Sequence, residues 1–200
     1  MQSIYFVDSN FTYESSKKSI LSIRYATDGF SFCVHDETGK LVVFVHEPYA
    51  ADSREAAVAR LKNYVVNDAI LNLRFKKVYI MPCFKEKLLV PGAFFDKANI
   101  TTLYTVNQEI SPDDTILYHH IEGIEAYLVE TVISSFHDFV REHFPVFQIV
   151  NGAYPFILGA MGKALRDTEQ IFLDIQDNYF DLLFICLLYT SPSPRDKRQS

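Results

Sequence analysis

Apolar and polar residues alternate along the first part of the chain in a pattern typical of β-strands. Apolar side chains recur at every second position in residues 20–26 (ILSIRYA) and 30–34 (FSFCV), which is the period of a strand with one buried face. Asp28-Gly29 separates the two runs and predicts a tight hairpin turn with both residues at positive φ. A second turn over residues 36–39 leads into an apolar run over residues 41–45, which completes three predicted antiparallel strands.

The pattern then changes from the period of a strand to that of a helix. Asp52 and Glu55 have the spacing of a capping box, in which Asp52 accepts hydrogen bonds from the first-turn amides. Apolar residues at helical spacing continue as far as residues 70–71 and predict an amphipathic helix. A buried strand follows over residues 78–81, so the helix is expected to form a crossover between neighbouring parallel strands.

The second half of the chain continues in short alternating elements. Strand and helix in short steps favour an α/β fold whose parallel strands are joined by right-handed crossovers. The predicted elements are a helical turn after Pro91, a small helix over residues 98–106, paired strands over residues 115–119 and 125–132, a helix capped by Ser134 or Ser135, a strand over residues 146–150 and a helix from Pro155.

A second alternating hairpin is predicted near the end of the chain. Residues 170–176 and 179–187 alternate as the first hairpin does, and their positions align with it. A hairpin followed by crossovers, and then by another such hairpin, is typical of two similar lobes that arose by duplication. Any half-buried strand also alternates, so two unrelated hairpins are the alternative interpretation.

These patterns predict three parts in the chain. Residues 1–168 form a first lobe with an N-terminal segment, and residues 169–186 open a truncated second lobe. Residues 187–200 change to Ser, Pro and basic residues and form a non-native or disordered tail. This tail resembles the translated read-through of a sequencing adapter, which would end the native chain near Cys186. A genuine flexible tail is the alternative, because its composition is typical of disordered segments.

Four segments carry a resemblance to a known family. They are LSIRYATDGFSFCVHDETGKLV, the helix after Ser53, Phe144-Pro145, and FLDIQDNYFDLLFI. Together they resemble the bacterial family called domain of unknown function 3822. The resemblance implies an actin-like (ribonuclease H-like) α/β fold, with a mixed sheet flanked by helices as the first lobe and the opening hairpin of a second lobe. That family has no established activity, so the resemblance implies architecture and no chemistry.

Composition and charge narrow the possible partners. A hydrophobic content of 48% and an aromatic content of 14% are ample for a buried core. The formal net charge is −6, and basic residues do not cluster before the tail, so we expect neither nucleic acid nor an anionic membrane surface as a partner. The sequence begins without the pattern of a secretory signal. The late apolar run over residues 182–189 is much shorter than the roughly 20 residues of a membrane span, and we expect a cytoplasmic protein without membrane insertion.

Metal-binding and catalytic patterns are not found in the sequence. Three cysteines stand singly among apolar neighbours, which favours reduced core thiols over disulfides or zinc ligands. His119 and His120 are neighbours on a predicted strand and point to opposite faces, so they cannot easily hold one metal ion. We therefore predict no catalytic residues and no metal site. The remaining candidates, Glu122, Glu125 and Glu130, are interpreted as ordinary rim or strand-face charges.

The actin-like fold raises the hypothesis of a nucleotide-binding ATPase. In such relatives the opening hairpins hold the phosphates, which requires a metal-positioning carboxylate and a small glycine-containing turn. Ser22 and Arg24 stand where an acid would be useful, and bulky Phe30 follows the turn. If the ATPase hypothesis holds, the cofactor-binding residues would be Asp28, Gly29, Asp174 and Asp177.

The favoured hypothesis is a non-catalytic cytoplasmic binding or scaffolding module that takes no cofactor and has a protein partner. Tyr5, Phe6, Phe11 and Tyr13 precede the first predicted strand and could pack on their own domain or on that partner. The alternative is a nucleotide-binding ATPase of the actin-like superfamily whose remaining motifs lie in a missing C-terminal part.

Overall fold

The computed structural model describes residues 2–165, 168–176 and 179–186. The chain forms two compact units, and the boundary between them lies between Tyr154 and Pro155. Among the described residues, the first unit contains two β-sheets and four α-helices, and the second contains most of a fifth α-helix and a β-hairpin. The proposed limits of a first lobe at residue 168 and of a tail from residue 187 stay predictions.

The helices and strands follow one another in the order that the sequence pattern indicates, with a few additions. They are β1 (Ile4–Val7), α1 (Tyr13–Ser16), β2 (Ile20–Ala26), β3 (Gly29–His35), β4 (Leu41–Pro48), α2 (Arg54–Asn67), β5 (Lys77–Pro82), β6 (Lys87–Pro91), α3 (Ile100–Thr105), β7 (Asp114–His120), β8 (Ala126–Ile133), α4 (Ser134–His143), β9 (Phe147–Ile149), α5 (Ala153–Lys163), β10 (Gln170–Ile175) and β11 (Phe180–Ile185).

The main sheet has six strands in the order β1-β4-β3-β2-β5-β9. Strands β1 to β4 pair antiparallel, whereas β5 pairs parallel with both β2 and β9. A parallel pair needs a crossover connection, and α2 lies in the connection between β4 and β5. The predicted mixed sheet of an α/β protein is confirmed.

One face of the main sheet carries the core of the first unit. Leu21, Ile23 and Tyr25 alternate along β2 and are almost completely buried. They belong to one hydrophobic cluster with apolar residues of α2 and α4, and the ring of Tyr25 lies 5.0 Å from that of Phe136 in α4. The predicted alternation therefore places every second side chain of the central strands in the core. The more polar side chains between them lie on the other face of the sheet.

A second sheet of three antiparallel strands, in the order β6-β8-β7, lies between β5 and α4 in the chain. Tyr104 of α3 packs on one face of this inserted sheet with Val129. Val132 of β8 belongs instead to the main core. The inserted sheet is therefore buried on both faces, which explains why β8 is apolar at nearly every position.

The predicted first turn is wrong in detail. Ala26 pairs with Gly29 across the hairpin, so the two residues of the turn are Thr27 and Asp28. Gly29 is the first residue of β3 and has a φ of 151°. Asp-Gly is a strong turn signal, but in this hairpin the glycine is part of a strand and lies just after the two turn residues.

Two predicted helix caps are also wrong. Helix α2 is capped by Ser53, whose side chain accepts from the amide of Ala56 at 3.1 Å, and not by Asp52. The same helix ends at Asn67, before the apolar residues 70–71 that its predicted stripe included. Helix α4 begins at Ser134 after Ile133, without a side-chain cap from Ser134 or Ser135.

The second unit contains the predicted hairpin of β10 and β11, paired antiparallel. Exposed and half-buried side chains alternate along both strands, and the exposed face is apolar throughout. The side chains of that face are all more than half exposed: Ile171, Leu173, Ile175, Phe180, Leu182 and Phe184.

Candidate functional site

Asp28, a candidate phosphate-site residue, is held inside the first hairpin. Its carboxylate lies 3.5 Å from the guanidinium of Arg24 on β2, and its carbonyl oxygen accepts from the amide of Tyr49 at 3.1 Å. Its Oδ1 is buried and has no hydrogen-bond partner among the described residues. Asp28 thus faces a cation of its own hairpin.

Gly29 is required by the close approach of β4. A Cβ atom at this position would lie 2.7 Å from the carbonyl oxygen of Glu47 and 3.1 Å from Cα of Pro48. The next residue, Phe30, is buried, with its ring 4.4 Å from that of Tyr64. The space beside Gly29 is therefore filled by β4, and this glycine does not leave room for a phosphate group to approach the backbone.

The second hairpin places two aspartates opposite each other. Asp174 on β10 pairs in register with Asp181 on β11, and both side chains are half-buried. Like charges directly opposite one another destabilise a strand pair, and they could also attract a cation. Within the described ranges no group of three or more His, Cys, Asp or Glu side chains is arranged to hold a metal ion. Asp177, the fourth candidate, lies outside the described residues.

Glu130 forms a buried polar centre that the sequence interpretation missed. The residue is only 3% exposed, so its interpretation as an ordinary strand-face charge is wrong. Its Oε2 accepts from Nδ2 of Asn151 at 2.7 Å, while Oε1 has no hydrogen-bond partner in the described part of the chain. Burial raises the pKa of Glu130 to about 8, against the opposing effects of the Asn151 hydrogen bond and the positive charge of Lys87. The carboxyl group is therefore mostly protonated at neutral pH.

Asn151 connects this carboxyl group to the turn between β9 and α5. While its Nδ2 donates to Glu130, its Oδ1 accepts from the amide of Ala153 at 2.8 Å. The next residue, Gly152, packs against Cys83, because a Cβ atom there would lie 2.2 Å from the Cys83 Sγ. The turn is therefore fixed both by the side chain of Asn151 and by close packing at Gly152.

His119 lies on the same face of the inserted sheet as Glu130. It pairs with Leu128, two residues before Glu130 on β8, and its neighbour His120 points to the other face. The Nε2 of His119 is buried without a hydrogen-bond partner among the described residues, and its ring lies 6.4 Å from that of Tyr154. Burial lowers the pKa of His119, which favours the neutral ring.

A buried ion pair lies near this centre. Arg54 of α2 contacts the almost fully buried carboxylate of Asp114 and donates to Thr131 Oγ1 at 2.7 Å. Tyr25 has a pKa raised well above its ordinary value, first by burial and then by Glu130, with Arg54 acting in the opposite direction. The end of β2, the start of α2 and the inserted sheet therefore share one polar region inside the first unit.

One sequence signal could have found Glu130. It is the single charged residue in AYLVETVI, the eight residues of β8. A strand that is apolar at nearly every position is buried on both faces, and a charged residue within it is rarely fully buried without a partner. The partner, Asn151, is 21 residues away in sequence, so no local pattern indicates it.

Strand β1 presents an exposed apolar edge. Its four side chains, Ile4–Val7, are all exposed, and Tyr5 is 66% exposed. Tyr5 is paired with Val45, which is completely buried in the core. Phe11 packs against the core cluster, whereas Tyr13 is exposed. Of the four N-terminal aromatic residues, Phe11 therefore packs on its own domain, whereas Tyr5, Phe6 and Tyr13 are exposed.

The mixed sheet and its flanking helices define an actin-like α/β protein. A crystal structure of a Bacteroides thetaiotaomicron VPI-5482 protein with an actin-like ATPase fold and unknown function matches this chain with a TM-score of 0.77 and 21% sequence identity. The match covers 88% of this chain and 68% of that chain. The predicted actin-like fold class is confirmed.

The chain belongs to the family described as Protein of unknown function (DUF3822), whose sequence profile matches residues 8–186. The family resemblance carried by the first hairpin and the C-terminal segment is thereby confirmed. No curated protein gives a match. Across residues 2–165, 168–176 and 179–186, no helix has the length and apolar character needed to cross a membrane.

Proposed function

We propose that this protein is a non-catalytic, cytoplasmic binding or scaffolding module with a protein partner. The observation that carries the proposal is the exposed edge strand β1. It lies at the end of the main sheet, paired with β4, and its apolar side chains are uncovered on both faces. An exposed strand of this kind is a template for the addition of a partner strand.

The first hairpin supports this proposal over the ATPase alternative. A phosphate site needs backbone amides that a phosphate group can reach and a carboxylate free to position a metal through water. In this hairpin Asp28 faces Arg24, and β4 fills the space beside Gly29. An ATPase would therefore have to bind phosphate with other residues.

Site-specific photo-crosslinking in cells tests the proposed binding edge. A photoreactive phenylalanine analogue replaces Tyr5, and a matched control carries it at Val66, an exposed apolar residue of α2. We expect a discrete protein adduct from position 5 that is lost when Phe6 is also replaced by Asp. An absence of any adduct at position 5, or the same adduct from position 66, would contradict binding at β1.

A further inference from the structure

We propose that the apolar face of the β10–β11 hairpin is covered by a further segment of the same polypeptide, which follows residue 186 in the complete reading frame. The proposal rests on the exposure of that face, on the two-stranded state of the hairpin and on the length of the solved structure that this chain resembles. It concerns the second unit and does not depend on β1 as a binding edge.

The apolar face consists of three cross-strand pairs that lie side by side on the hairpin. In the register of the two strands, these pairs are Ile171 with Phe184, Leu173 with Leu182, and Ile175 with Phe180. Each of the six side chains is between 51% and 76% exposed. Asp174 and Asp181 lie on the opposite face, so the exposed face carries no charge. A contiguous apolar patch of six large side chains is unusual on a soluble protein and marks a contact surface.

The hairpin is also too small to be stable by itself. Among the described residues, β10 and β11 form a sheet of only two strands. An isolated hairpin is marginally stable in water, and it becomes stable when further strands or a packed layer are added. A segment that covers the apolar face supplies such a layer, and strands within that segment can extend the sheet.

Two comparisons favour the same polypeptide as the source of this segment. The family profile extends to residue 186 and includes both strands, so the hairpin is part of the family's domain. The match with the Bacteroides structure covers 88% of this chain but 68% of that chain. About a third of the related chain therefore has no counterpart here, which is enough polypeptide to form a layer over six side chains.

A second copy of this chain is the competing occupant, because an apolar face can pack on an identical one. Two hairpins stacked face to face would cover both apolar faces, but they would add no strand to either sheet. A segment of the same polypeptide binds intramolecularly, which gives it a high effective concentration at the hairpin. Only packing on a second copy makes the protection of the face depend on protein concentration.

Hydroxyl-radical footprinting, read by mass spectrometry at single residues, tests the proposal on the wild-type sequence. It compares the 200-residue chain with the protein encoded by the complete reading frame in genomic DNA. We expect Phe180 and Phe184 to be modified severalfold less in the longer protein. Phe94, which is 73% exposed in the first unit, is the control and should be modified equally in both proteins.

Three outcomes of this experiment would overturn the proposal. A genomic reading frame that ends at Ser200 would leave no segment to cover the face. Equal modification of Phe180 and Phe184 in the two proteins would show that the longer protein leaves the face exposed. Protection of the 200-residue chain that rises with its concentration, with a dimer in light scattering, would assign the face to a second copy.

A matched pair of variants provides an independent measurement. Leu173→Gln changes the centre of the apolar face, and Leu89→Gln on β6 is its control, since the two leucines are 53% and 49% exposed. We expect Leu173→Gln to lower the urea midpoint of the longer protein and to leave that of the 200-residue chain nearly unchanged. Leu89→Gln should act equally in both proteins. Equal effects of Leu173→Gln in the two proteins would contradict the proposal, and the footprinting comparison, which needs no variant, decides if Leu173→Gln prevents folding.

Discussion

At the scale of single residues, Gly29 shows how a family signature can have a structural cause. Asp28-Gly29 lies in the segment that most clearly carries the family resemblance, and in an ATPase it would suggest a phosphate-binding turn. The contacts of Gly29 with Glu47 and Pro48 explain the glycine without any ligand.

Replacing Gly29 by alanine should therefore destabilise the fold. The added Cβ would meet backbone atoms of β4, and the φ of 151° is one that L-residues rarely adopt. We expect a loss of at least about 2 kcal/mol in the free energy of unfolding, measured by urea denaturation. Gly159→Ala is the matched control, because a Cβ in that helix meets nothing within 4 Å. The control should be neutral or slightly stabilising. Equal effects of the two substitutions would contradict this account.

Asp28→Asn tests the role of the neighbouring carboxylate. Asparagine removes the charge that faces Arg24 and keeps a side chain suited to a turn. We expect a loss of about 1 kcal/mol or less in unfolding free energy and unchanged crosslinking from position 5. Loss of a magnesium-dependent nucleotide affinity in this variant would instead assign Asp28 to a cofactor site.

At the scale of elements, the helices and strands follow the sequence pattern more closely than their ends do. The alternation in β2 and β3 is a strong local signal, and these strands lie where the pattern predicts. Strand β1 was missed because its four residues are exposed on both faces and do not alternate. Helix caps depend on which of two adjacent side chains reaches an amide, which spacing alone does not determine.

The cap of α2 provides a direct comparison between two adjacent residues. Ser53→Ala should reduce the unfolding free energy by about 1 kcal/mol, because it removes the acceptor of the Ala56 amide. Asp52→Ala should change it by less than about 0.5 kcal/mol, as expected for an exposed residue without such a role. Thermal or urea unfolding distinguishes the two, and a larger effect at Asp52 would restore the capping box predicted from the sequence.

The Arg54–Asp114 pair should be important for the docking of α2 on the inserted sheet. Arg54→Met leaves a nearly fully buried carboxylate without its cation, and we expect a loss of about 3 kcal/mol or more in unfolding free energy. The double variant Arg54→Met/Asp114→Asn should recover part of that loss. If the double variant is as unstable as the sum of the single variants, the two side chains do not interact energetically.

At the scale of the whole molecule, the class of fold could be predicted because a hairpin and short crossovers specify it locally. The buried polar region could not be predicted, because it joins Glu130 to Asn151 and Arg54 to Asp114 over long sequence separations. The solved structure that this chain resembles has an actin-like ATPase fold and unknown function, and fold alone does not decide the activity. Whether this protein binds a nucleotide depends on whether the residues of its two hairpins can hold phosphate groups and a metal ion.

The most direct test of the central claim is isothermal titration calorimetry with ATP and magnesium ions, on the protein encoded by the complete reading frame in genomic DNA. Because the first hairpin has no space for a phosphate group beside Gly29, we expect no saturable heat of binding when the protein is titrated with ATP to millimolar concentration. Saturable magnesium-dependent binding that is weakened by Asp28→Asn would contradict the account and favour the ATPase alternative.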